Sequence, residues 1–294
     1  DRLIRSIVAP SIVPDTTAQQ TALLSTVDLE LTSQLRSLLH HPDFQALESV
    51  WRGLDLLVRN FGGEENLKLF FVDISKEELT ADLQAQDGLD SSGLFKLIRH
   101  QAEDQPWAAW LGQCSFGGSL GDIELLDRLA KLAAQVGAPL IAGASPCFVG
   151  CDSFGTSPDP DDWKQPLATE IRDAWQALRE LPEASYLGLA LPRFLLRQPY
   201  GRESDPIEAF PFEEMSAELL HESYLWGNPC VLCGYLLAQA FQAEGWDMQA
   251  RGSGEVGELP VHKFKQNGET KVKPCAEAWL SERAGEVIRQ QGLM

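Results

Sequence analysis

Six residues, Tyr186-Leu-Gly-Leu-Ala-Leu191, sit between Pro182 and Pro192 with no charge until Arg193. A run this short, bounded by prolines, is better suited to a strand buried on both faces than to a helix. A helical pattern over residues 166–181 leads into it. Arg193-Phe-Leu-Leu-Arg197 leaves it, and Pro199-Tyr-Gly201 closes the segment with turn chemistry. A buried strand directly after an amphipathic helix is the repeating unit of an α/β domain, so the neighbouring segments have to supply its partners.

They do so in alternation. The spacing predicts helices over 21–39 and from Asp43, as N-cap, to about Asn60, closed by Gly62-Gly63. Leu67-Lys-Leu-Phe-Phe-Val-Asp-Ile74, β-branched and aromatic, is expected as the first strand. Ser75-Lys-Glu-Glu78 then reads as a capping box opening a helix over 76–86. A short helix over 91–101, a strand over 107–116, a helix over 122–136 and an apolar strand over 139–144 follow. Residues 150–165 are a surface loop rich in Pro, Asp and Gly. A long apolar helix is expected over 224–244, and the 261–265 and 269–273 segments pair as a hairpin across Asn267-Gly268. The fold class expected is α/β, a mixed or mainly parallel sheet covered by helices, with an N-terminal helical segment and a C-terminal hairpin. Trp51, Leu54, Leu140, Ile141, Leu187 and Leu189 are expected in the core. Arg193 and Arg197 are expected to pair with carboxylates at the end of the strand.

Domain organisation is expected to be an arm or linker over 1–19, an α/β core over 20–258 and, from 259 to 294, the start of a region that is cut short. In the arm, Leu3, Ile4, Ile7 and Val8 recur at helical spacing before Pro10 and Pro14 isolate them, which makes them the candidate partner-binding residues. Residue 1 is Asp, and the chain reads as a piece of a longer protein.

Charge excludes some classes of function. With 43 acidic against 24 basic residues the formal net charge is −19. That disfavours non-specific contact with nucleic acid, which needs phosphate-neutralising cations, and docking on anionic lipid. No apolar run approaches the ~20 residues of a membrane span. The six cysteines lie mostly in apolar segments and read as buried free thiols, because a chain this size does not need disulfide staples.

Chemical motifs fail on context. Gly252-x-Gly254-x-x-Gly257 matches a dinucleotide fingerprint as a string, yet Leu259-Pro260 follows where a helix should open. Cys230-Val-Leu-Cys233 has redox spacing but sits in an apolar helix, where cysteine behaves as a small hydrophobe. Ser145 lies in a broken nucleophile elbow, with Pro146 removing a backbone N–H. Asp159, Asp161 and Asp162 lack the spacing of a calcium loop. No catalytic residue, cofactor or metal site is expected. A thiol-dependent or metal-dependent α/β enzyme using Cys230, Cys233 or Ser145 is the alternative.

Seven strings fall in one order along the chain. They are His40-His-Pro-Asp-Phe-Gln-Ala-Leu-Glu48 with Trp51-Arg-Gly-Leu54, Asp73-Ile-Ser-Lys76 with Glu78-Leu79, and Ala138-Pro-Leu-Ile-Ala-Gly-Ala-Ser-Pro146. Tyr186 to Arg197 with Pro199-Tyr-Gly201, Tyr224-Leu-Trp-Gly-Asn228, Leu259-Pro-Val-His262 and Pro274-Cys-Ala-Glu277 complete the series. Together they resemble the large contractile-sheath subunits of bacterial type VI secretion systems, the TssC, VipB or EvpB family. The resemblance implies a cytoplasmic structural subunit without enzymatic activity. It would pair with a small sheath subunit (TssB or VipA) and polymerise with copies of itself in a helix around the Hcp tube. Contraction would eject the tube, and an AAA+ ATPase (ClpV) would disassemble the sheath. The family's C-terminal region is expected to lie beyond residue 294.

Overall fold

The computed structural model describes residues 17–84, 88–216, 219–249, 254–266 and 268–294. At its centre, β1 (Trp110–Phe116), β2 (Leu140–Ala144) and β3 (Leu187–Ala190) form a parallel sheet in that order. Trp110 stands opposite Leu140, and Leu140 opposite Leu187, with a bulge in β1 between Gly112 and Ser115. Every residue of β2 is buried, as a central parallel strand requires.

Alternation along β2 feeds two cores. Leu140, Ala142 and Ala144 face the larger one, with Leu189 and Phe116. Over it pack α3 (Lys76–Leu83), α4 (Gly93–Asp104), α5 (Leu120–Val136), α6 (Thr169–Arg179) and α8 (Glu282–Gln290). Ile141 faces the other core, with Leu57 and Phe61 of α2 (Pro42–Phe61) and Cys230, Val231 and Ala238 of α7 (Pro229–Glu244). The sheet is thus sandwiched between helices, the arrangement its apolar strands demand. Gly53 lets α2 and α7 approach closely, since a Cβ there would come within 2.9 Å of Val231 Cγ2.

Local sequence explains the boundaries. Ser75 and Glu78 form the expected capping box at α3. Ser119 caps α5, and Gly137, in the left-handed conformation at φ 76°, ends it. Asn228 caps α7, its side chain accepting from Cys230 N–H while its amide donates to the Cys114 carbonyl at 3.0 Å and so ties α7 to β1.

Beyond β3 the chain makes two-residue strands, β4 (Phe194–Leu195) and β5 (Trp226–Gly227), paired antiparallel. The expected helix over 224–244 therefore begins later, at Pro229, because Trp226 and Gly227 are spent on β4. The hairpin forms as expected from β6 (His262–Gln266) and β7 (Glu269–Lys273). Residues 274–294 return to the body: Leu195 N–H donates to the Cys275 carbonyl, Met294 N–H donates to the Leu189 carbonyl, and Ala284, Ile288 and Leu293 join the larger core.

Three expectations need correction. Leu67–Ile74 makes no strand: Leu69, Phe70, Phe71 and Val72 are exposed, and among the described residues no ladder pairs with them. Strand propensity describes fit to a pleated, half-buried surface, and this segment leaves its apolar side chains in solvent instead. Trp51 is 56% exposed rather than in the core. The apolar stripe of α2 divides, with Gly53, Leu57 and Phe61 facing α7 while Leu47, Trp51 and Val58 face outward. His41, not Asp43, is the N-cap of α2, because Pro42 takes the first helical position and moves the cap back by two residues. Leu140, Ile141 and Leu189 are buried as expected, with Leu54 and Leu187 half-buried.

Candidate functional site

Two features outside the cores bear on function: buried ion-pair networks around β4, and apolar surface left uncovered on the helices flanking them.

Arg197, just past β4, is buried between two carboxylates. Its Nε donates to Glu48 of α2 at 2.8 Å and its Nη1 to Glu214 at 2.6 Å. Glu48 also accepts from Arg52 Nε at 2.7 Å, and Glu214 accepts from Tyr200 N–H at 2.8 Å. Burial pushes the Glu48 carboxyl up, but the hydrogen bonds and charges of Arg197 and Arg52 outweigh it and hold the group below its ordinary range. Desolvation works against the Arg197 charge, and the two carboxylates outweigh that too. The network clasps α2 to the loop over 198–214. Arg36, on α1 (Thr17–Leu39), adds a second tie by donating to the Glu213 carbonyl at 2.8 Å.

Arg193 anchors the second network. Its Nη2 donates to Glu277 at 2.7 Å and approaches Glu222 at 3.4 Å. His221 bridges onward: Lys273 Nζ lies 2.8 Å from its Nδ1, and its Nε2 lies 3.0 Å from Glu277 Oε1. A lysine ammonium can only donate, so Nδ1 accepts and Nε2–H donates to the carboxylate. Although burial raises Glu277, His221 and Arg193 bring its pKa down to about 2. The expected pairing of Arg193 and Arg197 with carboxylates is what the structure contains. The partners lie 84 and 149 residues away along the chain at Glu277 and Glu48, which no local pattern could reveal.

The apolar surface is the feature that sequence reading missed: it expected Trp51 in the core and residues 67–74 in a strand. On α1, Leu23, Leu24, Val27, Leu31 and Leu38 are exposed. Beside α2, Trp51 meets Phe71 at 6.1 Å between ring centroids, and Phe70 packs edge-on against Trp107 at 5.1 Å. Side chains of this kind, gathered rather than scattered, are the signature of surface destined for contact.

The residues of the enzymatic alternative do not assemble. All six cysteines are unpaired. Cys230 is fully buried, and desolvation pushes its thiol and that of Cys233 up, the opposite of a reactive thiolate. Ser145 caps a short 3-10 helix, its hydroxyl accepting from Cys147 N–H at 3.4 Å. Asp159 likewise caps a turn, and Asp161 pairs with Arg283. Among the described residues no group of three His, Cys, Asp or Glu could hold a metal ion, and no helix is long and apolar enough to cross a membrane. Leu3, Ile4, Ile7 and Val8 lie outside the described residues, as does Gly252.

Residues 21–294 match the family described as VipB, the EvpB/VC_A0108 tail sheath N-terminal domain. The chain is also 35% identical over 283 residues to the type VI secretion system sheath protein TssC1 of Pseudomonas aeruginosa, an alignment covering 93% of this chain and 57% of that relative. It therefore spans little more than half of the relative's length. Matched along nearly its whole length, this α/β chain belongs to the VipB/EvpB family of type VI secretion tail-sheath proteins.

Proposed function

We propose that the protein is a structural, non-enzymatic subunit of a contractile sheath, acting in the cytoplasm. In this reading it pairs with a small sheath subunit (TssB or VipA) and polymerises with further copies of itself around the Hcp tube. Contraction then ejects that tube, and the AAA+ ATPase ClpV disassembles the spent sheath.

The observation that carries the reading is the division between a filled interior and an unfilled exterior. Both faces of the central sheet are packed, so the body can move as one rigid piece, as packed interiors deform little. The apolar faces of α1, of α2 and of residues 69–72 remain open to solvent. Heterologous contacts through such surfaces generate filaments when the rotation between copies does not close a ring. Leu3, Ile4, Ile7 and Val8 are proposed to extend this contact surface from the arm over 1–19. Because residues 274–294 pack into the larger core, the boundary expected at residue 259 is proposed to mark a change of surface on one body that otherwise spans 20–258.

The test is co-expression of the full-length polypeptide with its small sheath partner, followed by negative-stain electron microscopy. Regular tubes are expected. Soluble complexes that never polymerise, with an intact fold by circular dichroism, would overturn the reading.

A further inference from the structure

The hairpin β6–β7 is electrically unlike the rest of the molecule. Its twelve residues, 262–273, carry Lys263, Lys265, Lys271 and Lys273 against a single acid, Glu269, in a chain of net charge −19. Its two strands pair with one another and, among the described residues, with no other strand. It is nonetheless fixed at its base. Tyr224 Oη and His262 Nδ1 are 2.9 Å apart, and Lys273 reaches His221 while lying 5.3 Å over the Trp226 ring.

Beyond that base the ribbon is exposed. Directly opposite residues share a face, so Lys263 and Val272 stand together, with Lys265 and Thr270 next to them. Phe264 and Lys271 occupy the opposite face. Lys265 has a loose, exposed partner in Glu203 at 3.6 Å, and Lys271 donates to the Gln266 side chain at 2.9 Å. Among the described residues, neither Lys263 nor Lys271 meets a carboxylate.

We propose that this ribbon is a docking element that inserts its lysines against a carboxylate-rich face of a second copy of the chain. The inference rests on the reading that the protein assembles in many copies. Charge complementarity selects the occupant. Every copy presents a strongly acidic exterior, so the ribbon is attracted to the body of a neighbour. Two ribbons repel one another, which excludes hairpin-to-hairpin pairing along the open strand edges. Polyanionic nucleic acid is repelled by the acidic body around the ribbon. A base held by ring and hydrogen-bond contacts fixes the ribbon, so Lys263 and Lys265 project from one face and Lys271 from the other, which lowers the ordering cost of contact.

Carbodiimide crosslinking joins a lysine amine to a carboxylate in direct contact. It is applied to tubes assembled from a mixture of unlabelled and isotope-labelled full-length protein. Labelled-to-unlabelled crosslinks from Lys263, Lys265 or Lys271 to an Asp or Glu of this same polypeptide are expected. Crosslinks confined within one copy, or reaching only a different protein, overturn the proposal. In parallel, self-association of the full-length protein is measured by sedimentation. The triple variant Lys263→Glu, Lys265→Glu, Lys271→Glu should weaken it about tenfold, the scale of a few rim ion pairs, and the triple arginine variant should preserve it. Because these side chains are exposed, the thermal midpoint should not move. Unchanged association in the glutamate variant, or preferential binding of the wild type to DNA or RNA, sinks the idea. If wild-type tubes fail to form, the sheath reading fails, while sedimentation and crosslinking of the concentrated protein still decide the hairpin.

Discussion

Removing Arg197 tests whether the clasp around β4 holds the fold together. Its side chain is 6% exposed, Glu214's is 2% and Glu48's is 14%. In Arg197→Ala, Glu214 keeps only the Tyr200 N–H at 2.8 Å and the distant His40 at 3.7 Å, and Glu48 keeps Arg52. One buried carboxylate and one partly buried carboxylate then remain with their main cation gone. Breaking a buried pair from one side costs about 3–5 kcal/mol, a large part of the ~5–15 kcal/mol that holds a typical domain. Equilibrium urea unfolding, followed by circular dichroism, should show that loss at neutral pH. Adding Glu214→Gln to the variant removes the stranded charge and should restore part of it. The acid limb supplies a second check. A depressed folded pKa at Glu48 contributes stability above its ordinary value of 4.5, lost as pH falls through the folded value. The gap between wild type and Arg197→Ala should therefore narrow in acid. A loss under about 1 kcal/mol at neutral pH, unchanged by acid, would mean that water already serves these carboxylates and that the clasp is ornamental.

Other outcomes follow from the same structure. Glu277, its pKa brought from 4.5 to about 2, should contribute up to about 3 kcal/mol that is present above pH 4.5 and lost as pH falls toward 2; Glu277→Gln should flatten that part of the stability-against-pH curve. Leu189→Ala, at a buried position of β3, should cost about 2–5 kcal/mol in urea unfolding, and a near-zero effect would contradict its place in the core. Trp51→Ala with Phe71→Ala should cost the monomer under about 1 kcal/mol yet reduce tube formation with the small subunit, because both rings are exposed. Cys230 should react with a thiol reagent only as fast as the protein unfolds; fast labelling in the native state would reopen the thiol-enzyme alternative.

What the sequence determined by itself was whatever a few adjacent residues can enforce. Ser75 and Glu78 cap α3 as their spacing predicts, because both halves of a capping box lie within one turn. The all-apolar β2 had nowhere to go but the centre of the sheet, and the hairpin flanking Asn267-Gly268 pairs within one residue of the expected bounds. The seven ordered strings carried the family.

Tertiary structure decided the rest, for reasons of distance. Whether Trp51 is core or surface depends on which stripe of α2 meets α7, and that choice is made by Gly53 and Val231 fitting together across the chain. Leu67–Ile74 has the composition of a strand, but a strand exists only where its backbone joins another's ladder, and among the described residues it joins none. Arg193 and Arg197 announced a need for carboxylates, while Glu48, Glu214 and Glu277 are brought to them only by folding. Local chemistry is written in neighbours three or four residues apart, whereas the buried ion pairs join segments up to 149 residues apart.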